Sequence, residues 1–164
     1  MCVGGMLIAL TCLLTIFIQI QLPISINGGL IHLGNVPFVI AAVAFGKRKG
    51  AIAGACGMAL SDVLSPYIIY APFTFVIRGV MGYVIGWIAE KKQGKSIVLN
   101  FLAVIVGGII MIVGYYFAEA LLYSNFYTPI ASIPGNLIQI LTAVILGLPL
   151  AMIVKKRGFL YKLY

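Results

Sequence analysis

The chain has 164 residues, of which 63% are hydrophobic and only 14 are charged, 11 basic and 3 acidic. Charged residues at 9% fall well below the roughly 25% usual in soluble domains, and the mean hydropathy is +1.16. A 17.6 kDa globule leaves too much of its surface in water to hide that apolar content. A soluble enzyme is excluded and a bilayer is the expected solvent. At about 20 apolar residues per span, the length allows six crossings and little else, so an all-α integral membrane protein with one six-helix transmembrane domain over residues 1–164 is expected.

Ten of the 11 basic residues form three clusters: Lys47-Arg48-Lys49, then Lys91, Lys92 and Lys95, then Lys155, Lys156, Arg157 and Lys162. Positive residues accumulate in cytoplasmic loops. An even number of crossings must therefore separate the clusters, which gives six helices with both termini inside. In chain order, span one is predicted from about Cys2 to Ile20, ended by Pro23 and Asn27-Gly28-Gly29 in an outer loop. Span two, about Leu30 to Gly46, and span three, about Gly50 to Leu64, form a hairpin around the first basic cluster. Both are short for a hydrocarbon core of about 30 Å, so tilt, local thinning or packing on other helices is expected. A re-entrant version of this hairpin would bury three positive charges in lipid and is rejected. Ser65-Pro66 opens the second outer loop. Span four covers about Ala71 to Ala89, span five about Ile97 to Tyr123, and span six about Pro134 to Val154, with Ser124 to Ile133 as the third outer loop.

The first 20 residues carry no positive charge, so no cleaved signal peptide is expected. Cys2, Cys12 and Cys56 lack paired spacing, and neither disulfide nor zinc is indicated. Ala89 to Ser96, AEKKQGKS, approaches a phosphate-binding loop, but it opens on Ala89 and follows a membrane helix instead of a strand. It reads as a solvated basic loop, and Glu90 is assigned to that loop with no further role. Gly34-Asn35 and Gly135-Asn136 are similar helix starts, but they do not build a repeat.

Three charged residues remain inside spans: Asp62, Arg78 and Glu119. Ionisable groups there are costly and default to functional hypotheses. At about 1.5 Å per residue, Arg78 lies about 9 Å inward from Pro72 and Glu119 about 8 Å inward from Ser124, while Asp62 lies within about a turn of the outer end of span three. All three fall in one outer layer. Asn136 and Gln139, one turn apart on span six, enter it, and His32 and Asn35 border it. Tyr67, Tyr70, Tyr115, Tyr116, Tyr123 and Tyr127 lie in or near it. This pattern predicts an outward-opening polar pocket on an apolar wall, with tyrosines suited to stacking and hydrogen bonding. A purely structural ion pair at Arg78, an interfacial tyrosine belt and a solvated His32 remain as alternatives.

The inner half is apolar and rich in small residues. Gly50 with Gly54 and Gly82 with Gly86 have the spacing that lets helix backbones approach. On span one, Gly5 and Ala9 present a smooth face on which another membrane protein could dock.

Residues 28–87, GGLIHLGNVPFVIAAVAFGKRKGAIAGACGMALSDVLSPYIIYAPFTFVIRGVMGYVIGW, resemble the substrate-binding S-components of energy-coupling factor (ECF) vitamin importers, in the riboflavin or hydroxymethylpyrimidine branch. The motifs are the hydrophobic-Gly-Asn turn at Gly34-Asn35 and the close of the second helix at Phe45-Gly46. They continue with Gly54, Gly57, Ala59 and Asp62 on the third helix and the stretch Tyr70 to Gly79. The resemblance implies a six-helix S-component bundle with an outward pocket. It implies no catalysis in this chain, and it implies partners in the form of a transmembrane coupling subunit and two ABC ATPases. It also implies docking through an Ala-x-x-x-Ala motif on span one, matched here by Gly5 and Ala9 with one Gly substitution. The expected residence is the bacterial plasma membrane.

The expected substrate-binding set is therefore His32, Asn35, Asp62, Tyr67, Tyr70, Arg78, Tyr115, Glu119, Asn136 and Gln139. The favoured ligand is a hydroxymethylpyrimidine- or pyridoxine-like heterocycle, with riboflavin next. No cofactor, metal or nucleic acid is expected. The rival reading is an autonomous transporter or channel that couples flux to protons through Asp62, Glu119 and His32.

Overall fold

The computed structural model describes residues 2–21 and 30–156. The outer-loop residues Pro23 and Asn27-Gly28-Gly29, and the basic residues Arg157 and Lys162, lie outside them. The described chain folds as α1 (Cys2–Phe17), a hairpin of β1 (Gln19–Gln21) and β2 (Leu30–His32), α2 (Asn35–Phe45), α3 (Lys47–Val63), α4 (Ala71–Glu90), α5 (Ile97–Tyr123), α6 (Ile133–Thr142) and α7 (Leu148–Lys156). Short 3₁₀ turns at Ile68–Tyr70 and Thr128–Ser132 precede α4 and α6, and one π-helical turn, Ala143–Gly147, carries α6 into α7.

Three segments are long and apolar enough to cross a membrane: Ile68–Glu90, Ile97–Tyr123 and Thr128–Lys156; Val3–Phe17 and Asn35–Phe45 are apolar but shorter. Span five is found within its expected bounds. Span one is not: α1 stops at Phe17, and Gln19 pairs antiparallel with His32 in a two-stranded ribbon that the sequence pattern did not announce. Span two begins late, because residues expected to start it belong to β2. The eleven residues of α2 reach about 16 Å at 1.5 Å each.

The link between α2 and α3 is one residue, Gly46, with φ +95°. Only glycine adopts that conformation without strain, so the chain reverses at once and Lys47-Arg48-Lys49 form the first turn of α3, where a loop was expected. Cations at a helix N-terminus oppose its dipole. The opposition is relieved by Glu90, at the end of α4: its Oε1 accepts from the Lys47 backbone N–H at 2.9 Å and its Oε2 lies 3.2 Å from Lys47 Nζ. Glu90 is thus a carboxylate cap borrowed from another helix, and the sequence-based view of it as an idle loop residue is corrected.

The core lies between α2, α3, α4, α5 and the last helix, where Phe38, Met58, Met81, Ile85, Val104 and Met111 are all nearly inaccessible. Outward, the bundle is apolar: Leu121 is 72% exposed and Val98 66%. Apolar patches of that extent need a nonaqueous environment. The glycines set how closely α3 and α4 approach. A methyl on Gly50 would meet the Ala42 Cα at 2.6 Å and the Gly82 carbonyl oxygen at 2.9 Å, and one on Gly54 would meet the Arg78 carbonyl oxygen at 2.7 Å. The small-residue spacing expected to pack inside the bundle does so at these crossings.

Candidate functional site

At the hairpin end, the helices separate around a cavity of about 70 Å³. α1 contributes Thr15, β2 His32, and α3 Met58 and Asp62; Tyr67 and Tyr70 come from the segment before α4. Thr74 and Arg78 come from α4, Tyr115 and Glu119 from α5, and Asn136 and Gln139 from α6. Helical spacing explains the pairs. Residues four apart on α4 and α5, and three apart on α6, share a face, and that face is the one turned inward.

Arg78 is the floor of the cavity. It is 2% exposed, and no ion pair joins it to Asp62 or Glu119 among the described residues. Neutral acceptors hold it instead. Nη1 donates to Asn35 Oδ1 at 2.9 Å and Nη2 to Gln139 Oε1 at 2.9 Å, while Nε donates to the Tyr115 hydroxyl at 3.3 Å. Asn35 Nδ2 in turn donates to Gln139 Oε1 at 3.1 Å. Asn35, expected at the pocket, sits behind Arg78 and fixes its plane. A buried guanidinium with no carboxylate against it is costly; three neutral side chains from three other helices converge to hold it beside the cavity.

The walls are similarly built. Thr74 Oγ1 and the Tyr115 hydroxyl are 3.0 Å apart, and Asp62 lies beside Thr74 and within the field of Arg78. Glu119 is buried and accepts from Ser132 Oγ at 2.7 Å. The Tyr70 and Tyr123 hydroxyls meet at 2.7 Å, bridging the start of α4 to the end of α5.

His32 differs from these groups. It is 5% exposed, yet its Nδ1 has no hydrogen-bond partner among the described residues. Buried polar atoms without partners are uncommon, and this one belongs to a side chain that lines the cavity. His32 sits on β2, outside the helices; burial first, and the positive charge of Arg78 second, lower its pKa to about 3. The imidazole is neutral at physiological pH. Gly34 makes room for it: a methyl there would collide with Thr15 Oγ1 and approach His32 Nδ1 to 3.0 Å.

Nine of the ten residues expected from sequence line the cavity, and Asn35 supports it. Of the six tyrosines placed near this layer, Tyr67, Tyr70 and Tyr115 line it. Tyr127 is 84% exposed and Tyr116 turns its hydroxyl to the Phe126 carbonyl at 2.9 Å. Thr15, Met58 and Thr74 line the cavity without having been anticipated. Thr11 and Thr15, polar and four apart in an otherwise apolar helix, were the available signal for α1; Met58 carried none. At the other end of α1, Gly5 and Ala9 are exposed, and a methyl placed on Gly5 would meet no other element within 4 Å among the described residues.

The family model described as "ECF-type riboflavin transporter, S component" matches residues 1–156. A protein of Pyrococcus woesei, described as an uncharacterized protein in a gap 3′ region, is 33% identical over 138 residues, covering 84% of this chain and 90% of its own. The thiamine precursor transporter HmpT of Lactococcus lactis subsp. cremoris (strain MG1363) is 29% identical over 133 residues, covering 81% of this chain and 74% of its own.

Proposed function

This chain belongs to the family of ECF-type riboflavin transporter S components, and we propose that it is the high-affinity binding subunit of an ECF-type ABC importer that takes up a small vitamin precursor of the hydroxymethylpyrimidine type. Membership makes it a non-catalytic, multi-pass membrane protein of vitamin uptake. The proposal adds six crossings with both termini inside, one domain over the whole chain and residence in a bacterial plasma membrane. In it, the hairpin end faces outward and the basic end inward, in keeping with the positive-inside bias.

The observation that carries the reading is the cavity itself. A buried, neutral-ligated Arg78 and a His32 Nδ1 without a partner among the described residues line it together, which bulk packing does not require. Its size favours the smaller substrate. At roughly 10–15 Å³ per water on this measure and about 30 Å³ of liquid volume each, 70 Å³ corresponds to a ligand of roughly 150–200 Å³. One substituted heterocyclic ring fits that space. The similarity to a thiamine precursor transporter supports the same choice.

In this reading His32, Asp62, Tyr67, Tyr70, Arg78, Tyr115, Glu119, Asn136 and Gln139 contact the ligand, and Asn35 positions Arg78. Gly5 and Ala9 form the docking face for a transmembrane coupling subunit whose two ABC ATPases supply the energy. Purified chain in liposomes should bind hydroxymethylpyrimidine without transporting it, and uptake should require the coupling subunit, the ATPases and ATP. Uptake by the chain alone, driven by a proton gradient, would overturn the proposal. Ala9→Trp should abolish ATP-driven uptake and leave the dissociation constant unchanged.

A further inference from the structure

We infer that the cavity recognises the N–H edge of an amino-substituted nitrogen heterocycle, neutral or singly cationic, through Asp62 and Glu119, and rejects phosphorylated forms of the same ring. This rests on the reading of the cavity as a vitamin-precursor site and adds the chemistry by which that site selects.

The first argument is the balance of donors and acceptors. Arg78, Asp62 and Glu119 line the cavity, so its formal charge is one negative. Arg78 does not cancel that charge by pairing. A guanidinium has five N–H donors, and four are directed at Asn35, Gln139, Tyr115 and, at 3.7 Å, the Met81 sulfur. One N–H is left for a ligand. The carboxylates are far less committed. Among the described residues Glu119 receives a single hydroxyl, from Ser132 on Oε2, and the half-buried Asp62 adjoins Thr74. The other lining groups, among them the Tyr67 hydroxyl and the Asn136 amide, both donate and accept. The groups of fixed sign therefore set the balance: two acceptor-only carboxylates against one remaining guanidinium N–H, to which a ligand rich in N–H is complementary.

The second argument concerns what such a surface refuses. A phosphate ester would bring acceptor oxygens and negative charge against two carboxylates, facing a cation with four of its five donors already engaged. A ring carbonyl in place of the amine would set lone pair against lone pair, leaving the carboxylate without a donor. Sites built around a specific hydrogen bond discriminate strongly against analogues that lack it. An amine beside a ring nitrogen meets both requirements: its N–H groups face the carboxylates, and the ring nitrogen can accept from the remaining Arg78 N–H.

The test uses the full chain in lipid nanodiscs and calorimetric titration with four probes. These are 4-amino-5-hydroxymethyl-2-methylpyrimidine, its 4-oxo analogue, its phosphate monoester and riboflavin. The aminopyrimidine should bind at least about 100-fold more tightly than the oxo analogue and the monoester. Asp62→Asn or Glu119→Gln should narrow the amino-to-oxo ratio by about tenfold or more. Because the wild-type series alone decides the ranking, a variant that fails to fold does not remove the test. Equal binding of amine and oxo analogue, or preference for the monoester, overturns the inference and leaves the vitamin-precursor reading standing. Riboflavin bound more tightly than the aminopyrimidine overturns the inference and the choice of substrate. Binding of none of the four by protein that still melts cooperatively overturns both the inference and the function proposed above.

Discussion

The two ends of the α3–α4 pair are built on opposite principles. Toward the basic end, Gly50, Gly54, Gly82 and Gly86 bring backbone against backbone, and a methyl group at any of them would collide with a neighbour. Toward the hairpin end, the same two helices carry Met58, Asp62, Thr74 and Arg78 and stand apart around a cavity. One pair of helices is thus a seal at one end and a site at the other, and the change from glycine to long polar side chains within two turns makes the difference.

The largest expected effect breaks the seal. In Gly82→Val the new side chain would strike the Gly50 backbone, which cannot yield as a side chain could, so a loss of about 3 kcal/mol or more is expected at the upper end of overpacking costs. Thermal melting of the purified protein measures it. The affinity of the fraction that remains folded should be unchanged, and a proportionate loss of affinity would show that the two ends are not separable.

Next comes the site. Arg78→Met removes a hydrogen-bonding cation of similar length, and titration should show ligand affinity lower by about 100-fold, on the scale of one charged hydrogen bond and the amides it leaves unpaired. Unchanged affinity with reduced melting temperature would make Arg78 a structural residue only.

The third prediction concerns pH. His32 has a folded pKa near 3 against about 6.5 when unfolded, so between those values the unfolded chain binds a proton that the folded chain refuses. Its contribution to stability is complete above about pH 6.5 and is lost as pH falls toward 3, at up to about 1.4 kcal/mol per pH unit. Melting curves from pH 7 to pH 4 should show that slope, and His32→Gln should flatten it. Equal slopes in the two proteins would mean that water reaches His32 freely.

The smallest effect is at the basic end. Glu90→Ala removes the borrowed cap from α3 and should cost about 1 kcal/mol in stability, with ligand affinity untouched. Because Glu90 and Lys47 are partly exposed, the loss should fall only slightly at high salt, most of it being the cap.

Much of the candidate site was legible because charge is so scarce in this chain. With ten basic residues set aside as topological markers, Asp62, Arg78 and Glu119 stood out, and helical rise placed them at one depth. The partners of Arg78 were not legible. Asn35, Tyr115 and Gln139 are 43, 37 and 61 residues away, and a carboxylate was an equally reasonable partner until the helices were packed. The β1–β2 ribbon was hidden for a different reason: three residues a side carry no alternation long enough to separate a strand from the end of an apolar helix. Glu90 was misread because its role depends on where α3 begins in space.

By itself, the sequence determined the solvent, the apolar helices, the basic end and the short list of polar residues, since all of these follow from composition and from one-dimensional periodicity. Tertiary structure alone decided which of those residues touch, that α2 and α3 join through one left-handed glycine, and that Arg78 is held by neutral groups. Helix periodicity states which face a residue is on, but which other face it meets depends on backbone approach, and here that approach is set by glycines whose spacing marks a close crossing without naming the helix that is crossed.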